Sequence, residues 1–201
     1  MQHPAVNPVP REEVVLVNAL GQQVGVEEKE RAHLDGVLHR AFSIFVFNAR
    51  GELLMQQRAA GKYHSGGLWT NTCCGHPRPG EALAQAVHRR LQEEMGFDCA
   101  LREAFQFTYH AKLGNGLIEH EFDHVFVGRF EAQPQPNPDE VGACRWMTLD
   151  ELDLDLTAQP ERYSYWLRHC FKTLRAYLAG NPLQEDPAVS LREIQHPGDE
   201  S

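Results

Sequence analysis

The sequence has no long apolar segment and no cysteine pattern of the kind that disulfides or zinc sites use. No apolar run approaches the roughly 18 residues that span a bilayer, and the amino terminus does not resemble a secretory signal peptide. The five cysteines are odd in number and include no CxxC pair, so they do not predict a disulfide framework. These absences predict a protein of the reducing cytoplasm with no membrane span.

A long basic run is also missing, and the formal net charge is −9 at pH 7. This charge disfavours nonspecific binding to nucleic acid, whose phosphates attract clustered Lys and Arg. The 201 residues, 42% of them hydrophobic, suffice for one sizeable core, and no internal repeat divides them. We expect a single domain over residues 11–180, with flexible segments at 1–10 and at the acidic 181–201.

Hydrophobic periodicity predicts a mixture of strands and helices. The patterns indicate helices near 81–95 and 161–179, and strands near 13–18, 40–48, 52–57, 101–109, 118–130 and 144–148. This mixture predicts the α+β class.

The segment NTCCGHPRPGEALAQAVHRRLQEEMGF, residues 71–97, joins a glycine-bounded loop to an acidic amphipathic helix. On that helix Glu94 falls at the apolar arc, whereas Glu93 lies off it. A carboxylate on an apolar face is costly unless it is paired or bound to metal, so we expect Glu94 to be a magnesium ligand. The alternative is a simple helix salt bridge with Arg90, four residues earlier.

From Gly75, the order of glycine, five residues, Glu81, seven residues and Arg89, followed by LQEEMGF after Arg90, resembles the Nudix box. The chain departs from the box at Arg90, where the box has Glu. This change removes one oxygen ligand and adds a cation with bidentate phosphate geometry. Diphosphate binding is retained, but the arrangement of carboxylates and metals that a Nudix hydrolase needs is put in doubt.

The stretch LIEHEFDHVF, residues 117–126, alternates so that Glu119, Glu121 and Asp123 share one strand face. A solvated face is the alternative, although acidic residues are poor strand formers. Together with three histidines that precede them in the chain, Glu119 and Glu121 form a donor set that suits zinc, manganese or magnesium. The histidines of this candidate site are His33, His39 and His76.

Several motifs in a fixed order resemble type I isopentenyl-diphosphate delta-isomerase over residues 12–170. They are AH followed by LHRAFS, then TNTCCGHP, EEMG, IEHEFDH and YSYW. The resemblance implies a Nudix-like α/β/α sandwich with a mixed sheet, and interconversion of isopentenyl and dimethylallyl diphosphate through a carbocation-like intermediate. The loop segment HSGGLW departs from the family's usual aromatic-Pro-Gly sequence.

The resemblance also implies roles for individual residues. Cys74 and Glu121 match the acid-base pair, Tyr109 matches the tyrosine that supports the Glu, and Trp166 matches the tryptophan that faces the isoprenoid carbons. The basic contacts to the diphosphate match Lys29, Arg58, Lys62 and Arg90. The family's ligands of the inner metal, which is Mn²⁺, Zn²⁺ or Mg²⁺, match His33, His39, His76, Glu119 and Glu121. Glu94 matches the ligand of the diphosphate-bound Mg²⁺.

For this chemistry we expect Glu121 to donate the proton and Cys74, as a thiolate, to remove one, with the roles exchanged in the reverse direction. The expected partner is a small diphosphate, and the expected state is a monomer or a weak dimer. Two other functions stay open. One is a Nudix hydrolase of a diphosphate, and the other is a catalytically idle Nudix-fold sensor that binds a diphosphate metabolite.

Overall fold

The computed structural model describes residues 12–183, and within them nine strands and four α-helices form one α+β unit. The strands are β1 (Glu13–Val17), β2 (Gln23–Glu28), β3 (His39–Phe47), β4 (Leu53–Arg58), β5 (Trp69–Thr70), β6 (Cys73–Gly75), β7 (Leu101–Lys112), β8 (Ile118–Arg129) and β9 (Val141–Met147). The helices are α1 (Lys29–Asp35), α2 (Leu83–Met95), α3 (Leu149–Ala158) and α4 (Tyr165–Gly180). The predicted flexibility of 1–10, and of nearly all of 181–201, concerns residues outside the described part.

Strand β3 lies at the centre of the fold because its side chains are apolar on both faces. Phe42, Ile44 and Val46 pack in a cluster with α2, whereas Phe45 and Phe47 pack in a second cluster with α4. Helices therefore cover both faces of the sheet, as buried strands require. The prediction of an α/β/α sandwich of the α+β class is confirmed.

The two edges of β3 bind different strands. Along one edge β8 runs parallel to β3 over its whole length, from the pair His39 and Glu121 onwards. The other edge pairs antiparallel with β1, β6 and β4 in turn. The sheet is therefore mixed, and the loop and strand that carry Cys74 approach β3 from the side opposite to Glu121.

Helix α3 lies where the sequence analysis assigns no element. Its segment LDELDLDLTA alternates Leu with acidic residues, a pattern that resembles a strand more than a helix. A capping box nevertheless starts the helix, because the backbone N–H of Glu151 donates to Thr148 Oγ1 at 3.2 Å and that of Thr148 donates to Glu151 Oε2 at 2.9 Å. Strand β2 and helix α1 are also absent from the prediction. Within residues 12–183, no helix combines the length and the apolar composition needed to cross a bilayer.

Helix α2 ends at Gly96, whose φ of 73° is left-handed, and a Cβ there would lie 2.2 Å from the carbonyl oxygen of Gln135. We predict that Gly96→Ala destabilises the fold by about 1–2 kcal/mol more than Gly80→Ala. Gly80 is the matched control because its φ is 78° but nothing lies within 4 Å of a built Cβ. Urea unfolding of both variants measures the difference, and equal losses would show that backbone strain alone limits position 96.

Candidate active site

One cavity of about 560 Å³ collects most of the residues that the sequence singles out. Its lining includes the four expected diphosphate contacts and seven other expected site residues, namely Cys74, His76, Glu94, Tyr109, Glu119, Glu121 and Trp166. His33 and His39 are fully buried and contact the cavity's carboxylates from below its surface. The predicted residues, drawn from eight helices and strands and from two loops, therefore converge on one place.

The three histidines and two glutamates form one cluster. His76 Nε2 lies 2.9 Å and His39 Nε2 lies 3.6 Å from Glu121 Oε1, and His33 Nε2 lies 4.0 Å from Glu119 Oε1. The ligand atoms of His33, His39, His76 and Glu121 all lie within 4.8 Å of one another. Donors about 2.1 Å from a shared ion lie up to about 4.2 Å apart, so small side-chain adjustments suffice to bring these atoms onto one ion.

The hydrogen bonds of His33 and His39 put both rings in the form that a metal requires. Nδ1 of His33 lies 2.6 Å from the carbonyl oxygen of Lys29, and Nδ1 of His39 lies 2.8 Å from that of Val37. Carbonyl oxygens only accept, so each Nδ1 carries the proton and each Nε2 presents a lone pair. Both Nε2 atoms are buried without a hydrogen-bond partner. These two lone pairs without a hydrogen-bond partner, together with the carboxylates, fit a divalent cation.

Burial also keeps the imidazoles neutral. Desolvation lowers the pKa of His33 to about 4 and that of His76 to about 3. Metal ions bind the neutral imidazole, so protons do not compete with the ion at neutral pH.

The acidic face of β8 is buried rather than solvated. Glu119, Glu121 and Asp123 are 2%, 7% and 1% exposed, respectively. The hydroxyl of Tyr109 lies 2.6 Å from Glu121 Oε2 and 3.0 Å from Glu119 Oε2, so one phenol bridges two carboxyl groups. Burial and repulsion by Glu121 raise the pKa of Glu119, whereas the contacts of Glu121 with His39 and His76 outweigh its burial and lower its pKa. A divalent ion at the cluster would stabilise both carboxylates in their charged form.

Of the two adjacent cysteines, Cys74 lines the cavity and Cys73 packs in the α2 cluster. Cys74 Sγ lies 3.1 Å from Asn71 Oδ1 and 3.1 Å from Trp166 Nε1. Burial and then the charge of Asp123 raise the pKa of Cys74 to about 12. The polar groups that contact the thiol are an amide, an indole and the hydroxyl of Ser43 rather than cations, and the expected thiolate stays a prediction for the loaded site.

The four cationic side chains that are expected to contact the diphosphate line the cavity, but each of them already has a partner within the protein. Lys29 lies 2.8 Å from Glu12, Lys62 pairs with Glu140, and Arg90 pairs with Glu94 and, at 2.8 Å, with Glu93. Arg58 donates to the carbonyl oxygen of His64 at 3.2 Å and lies over the ring of Trp166. Glu94 is 5% exposed and also accepts a 3.0 Å hydrogen bond from Gln56, so the helix salt bridge that was the alternative is present.

Sequence reasoning missed two residues of this site. Asn71 is fully buried, and its Oδ1 accepts from Cys74 and from Trp166 Nε1 at 3.1 Å each. His64 places Nε2 3.2 Å from Glu119 Oε1. Asn71 stands inside the TNTCCGHP motif, and its place there is the signal that could have identified it. His64 stands in HSGGLW, the segment that departs from the family pattern, so no motif pointed to it.

The comparisons with known proteins agree with this geometry. The NUDIX domain family matches residues 37–170. Isopentenyl-diphosphate Delta-isomerase 2 of Aromatoleum aromaticum is 55% identical over 159 residues, which cover 79% of this chain and 84% of that protein. The isopentenyl-diphosphate Delta-isomerase of Pectobacterium atrosepticum is 50% identical, covering 84% of this chain and 94% of that protein.

The chain belongs to the Nudix-domain isopentenyl-diphosphate Delta-isomerases. This membership confirms the family that the motif order predicts. The fold is also that of DR0079 from Deinococcus radiodurans, with a TM-score of 0.69 at 22% identity over 81% of this chain and 98% of that one.

The cluster yields a prediction about stability. Adding Mn²⁺ or Zn²⁺ to chelator-treated protein should raise its unfolding temperature, because an ion that binds only the folded state stabilises it by about 2.7 kcal/mol at 100 times Kd. His33→Ala should lose most of this increase, whereas His110→Ala, which alters an exposed histidine, should keep it. Differential scanning calorimetry checks this, and an equal shift in all three proteins would place the ion elsewhere.

Proposed function

We propose that this protein interconverts isopentenyl diphosphate and dimethylallyl diphosphate. In the forward direction it adds a proton to the terminal alkene carbon and removes another from the allylic methylene, which adjoins the tertiary alkene carbon. The observation that carries the proposal is that Cys74, Glu121 and Trp166 line the same cavity as the cationic side chains. Acid-base groups, an aromatic ring and anion-binding groups are the parts that this reaction needs. Family membership assigns the reaction, and the cavity supports the roles of the residues.

Cys74 and Glu121 are the proposed acid-base pair. Cys74 lies on β6 and Glu121 on β8, and these strands pair with opposite edges of β3. Two groups that approach a substrate from different sides can deliver one proton and remove another without either of them moving between carbons. After one turnover the donor is deprotonated and the acceptor protonated, and exchange with solvent or the reverse reaction restores them.

Trp166 is the proposed neighbour of the positive charge that develops on the tertiary carbon. The residue is 4% exposed, so its ring acts in a nearly dry environment. The face of an indole attracts a cation by about 2 kcal/mol or more when water is excluded. Its Nε1–H is held by Asn71 Oδ1 at 3.1 Å, which fixes the orientation of the ring.

The cations of the cavity are the proposed anchor for the diphosphate. Arg58, Lys62 and Arg90 line the cavity, and an incoming diphosphate would compete with Glu140 for Lys62 and Arg90. With Glu94 as a ligand, Mg²⁺ would supply further positive charge at the phosphates. Anchoring at this end orients the alkene against the acid-base pair.

The His/Glu cluster is the proposed site of the inner ion, for which Mn²⁺, Zn²⁺ and Mg²⁺ stay candidates. When bound, that ion supplies positive charge that stabilises the ionised Glu121 between proton transfers. All five cysteines are free, which supports our proposal of a reducing, cytoplasmic setting. The expected monomer or weak dimer stays a prediction.

Hydrolysis is the competing chemistry for a Nudix fold, and Arg90 argues against it. The position where the box has Glu carries a guanidinium that pairs with Glu93 and Glu94. The chain therefore has one carboxylate fewer than a hydrolase uses to assemble several metal ions around an attacking water. An idle sensor, in turn, would give no reason for Cys74, Glu121 and Tyr109 to share a cavity.

We predict that the protein converts isopentenyl diphosphate to dimethylallyl diphosphate in the presence of Mg²⁺ without releasing phosphate. Cys74→Ala and Glu121→Gln should each lower kcat by about 10²–10⁴-fold, the range that one positioned acid or base contributes. Cys144→Ala is the matched control, because that thiol lies outside the cavity. The assay follows product by chromatography and phosphate by a dye in the same tube.

Each alternative has its own signature in this assay. Phosphate release without dimethylallyl diphosphate would establish a hydrolase. Binding of the diphosphate with no turnover in any variant would establish the sensor. Full activity in Cys74→Ala or Glu121→Gln would contradict the assignment of that residue while leaving the reaction intact.

We predict that Trp166→Leu lowers kcat by about 30-fold more than Trp166→Phe, because Phe keeps an aromatic face and Leu does not. About 2 kcal/mol of cation–π attraction corresponds to this factor. Both substitutions remove the hydrogen bonds of Nε1 to Asn71 and Cys74, so that loss cancels in the comparison. Steady-state rates of both variants measure the ratio, and equal rates would mean that Trp166 only packs.

A further inference from the structure

His64 lies beside the metal cluster, although the family resemblance gives it no role. Its ring is 9% exposed, and its Nε2 lies 3.2 Å from Glu119 Oε1. Its ring centroid lies 5.8 Å from that of His33, in a stacked arrangement. The ligand atoms of His33, His64 and Glu119 lie within 4.8 Å of one another and form a second group of potential donors.

The two groups of metal-ligand atoms can bind one common ion but not two separate ions. Both contain His33, whose Nδ1 is committed to the carbonyl oxygen of Lys29, which leaves only the lone pair of Nε2. One lone pair binds one metal ion. An ion bound to His33 would therefore be shared by both groups, with His64 and Glu119 on one side and His39, His76 and Glu121 on the other.

The geometry at Glu119 leaves an oxygen for this centre. Oε2 of Glu119 accepts from the Tyr109 hydroxyl, whereas Oε1 faces His33 at 4.0 Å and His64 at 3.2 Å. Two donors that sit about 2.1 Å from an ion at right angles to each other are about 3 Å apart. The spacing of His64 Nε2 and Glu119 Oε1 therefore suits neighbouring positions in one coordination shell.

We propose that His64 is a further imidazole donor to the ion held by His33, His39, His76, Glu119 and Glu121. This inference rests on the metal site of the proposed function and extends it by a residue that the family pattern does not supply. With one atom from each residue the shell reaches six donors. Six donors favour an ion such as Mn²⁺ over Zn²⁺, which prefers four.

The position of His64 in the chain connects the metal to the diphosphate contacts. The segment 58–68 that carries His64 also carries Arg58 and Lys62, and Arg58 donates to the carbonyl oxygen of His64 at 3.2 Å. A bond from His64 to the ion would fix this segment at the metal. The ion would thereby hold two phosphate-binding side chains in place.

The competing interpretation is that His64 only orients Glu119. Nδ1 of His64 lies 3.3 Å from the hydroxyl of Ser65, which can donate or accept, so the alternative tautomer with a proton on Nε2 also satisfies the ring. In that form Nε2–H donates to Glu119 and no bond to the ion forms. His64→Gln separates the two roles, because the Gln amide can donate a hydrogen bond but is a poor ligand for a transition metal.

The experiment counts coordinated histidines in the full-length protein loaded with Co²⁺. A histidine bound through Nε2 leaves one exchangeable Nδ1–H, which gives a strongly shifted proton resonance beside paramagnetic Co²⁺. We expect four such resonances in the unaltered protein and three in His64→Gln. Chelator competition should show Co²⁺ affinity in His64→Gln lower by more than about 100-fold, beyond the ~10–100-fold that loss of an outer contact produces.

His33→Ala and His110→Ala serve as the positive and negative controls, and circular dichroism verifies that each variant is folded. Three resonances in the unaltered protein, or an affinity in His64→Gln that matches the unaltered protein, would overturn the role of His64 while leaving the metal site intact. If His33→Ala also binds Co²⁺ as the unaltered protein does, the proposed metal site itself fails. Four resonances that fall to three establish the inference.

Discussion

The active site depends on the burial of acidic side chains on one face of β8. One half of strand β8 packs in the core, and the other half carries the carboxylates of the site. Its carboxyl-terminal half places Val125 and Val127 in the core beside β3, and this anchors the parallel register that sets Glu121 opposite His39. Its amino-terminal half carries Glu119 and Glu121 on the same face. A slip of one residue would turn the carboxylates to the other face of the sheet, so the apolar half fixes the chemistry of the acidic half. Once buried, the carboxylates need partners, and this need accounts for the histidines and Tyr109 around them.

The other end of the cavity shows how one substitution changes what a Nudix helix can do. Glu93 and Glu94 are in place, yet Arg90 at the neighbouring box position binds both. A carboxylate at position 90 would add negative charge and attract more metal, whereas the guanidinium offsets the charge of the pair and lines the cavity. This charge balance supports the proposed role of the helix as an anchor for a diphosphate that must stay attached while a cation forms a few bonds away. Glu140 contacts both Lys62 and Arg90, and the proposed diphosphate would compete with it for these cations.

The sequence alone predicts the class of the fold, the central strands and most of the residues that meet at the cavity, because those residues stand in motifs with fixed spacing. Strand β3 was predictable from an apolar run buried on both faces, and the inward direction of Glu94 from helical periodicity. Helix α3 was not recognised, because the local capping box at Thr148 outweighs a Leu and Asp alternation typical of strands. The surroundings of Cys74 could not be foreseen in full, since Trp166, which contacts its Sγ, is 92 residues away in the chain. His64 was missed for the same reason: its partner Glu119 is 55 residues away and no periodicity connects them.

The segment 58–68 joins three parts of the site that the sequence presents as separate. Arg58 lies over the ring of Trp166 at 5.5 Å, donates to the backbone of His64, and points into the cavity that is expected to hold the diphosphate. A change at Arg58 or His64 is therefore expected to affect the aromatic wall, the proposed metal site and the proposed phosphate contacts together. Loss of activity in a variant of this segment does not by itself identify which part failed. Because the three parts bind different things, the affinity for metal, the affinity for the diphosphate and the rate of proton transfer separate them. For this reason a count of coordinated histidines is more informative about His64 than any measurement of turnover.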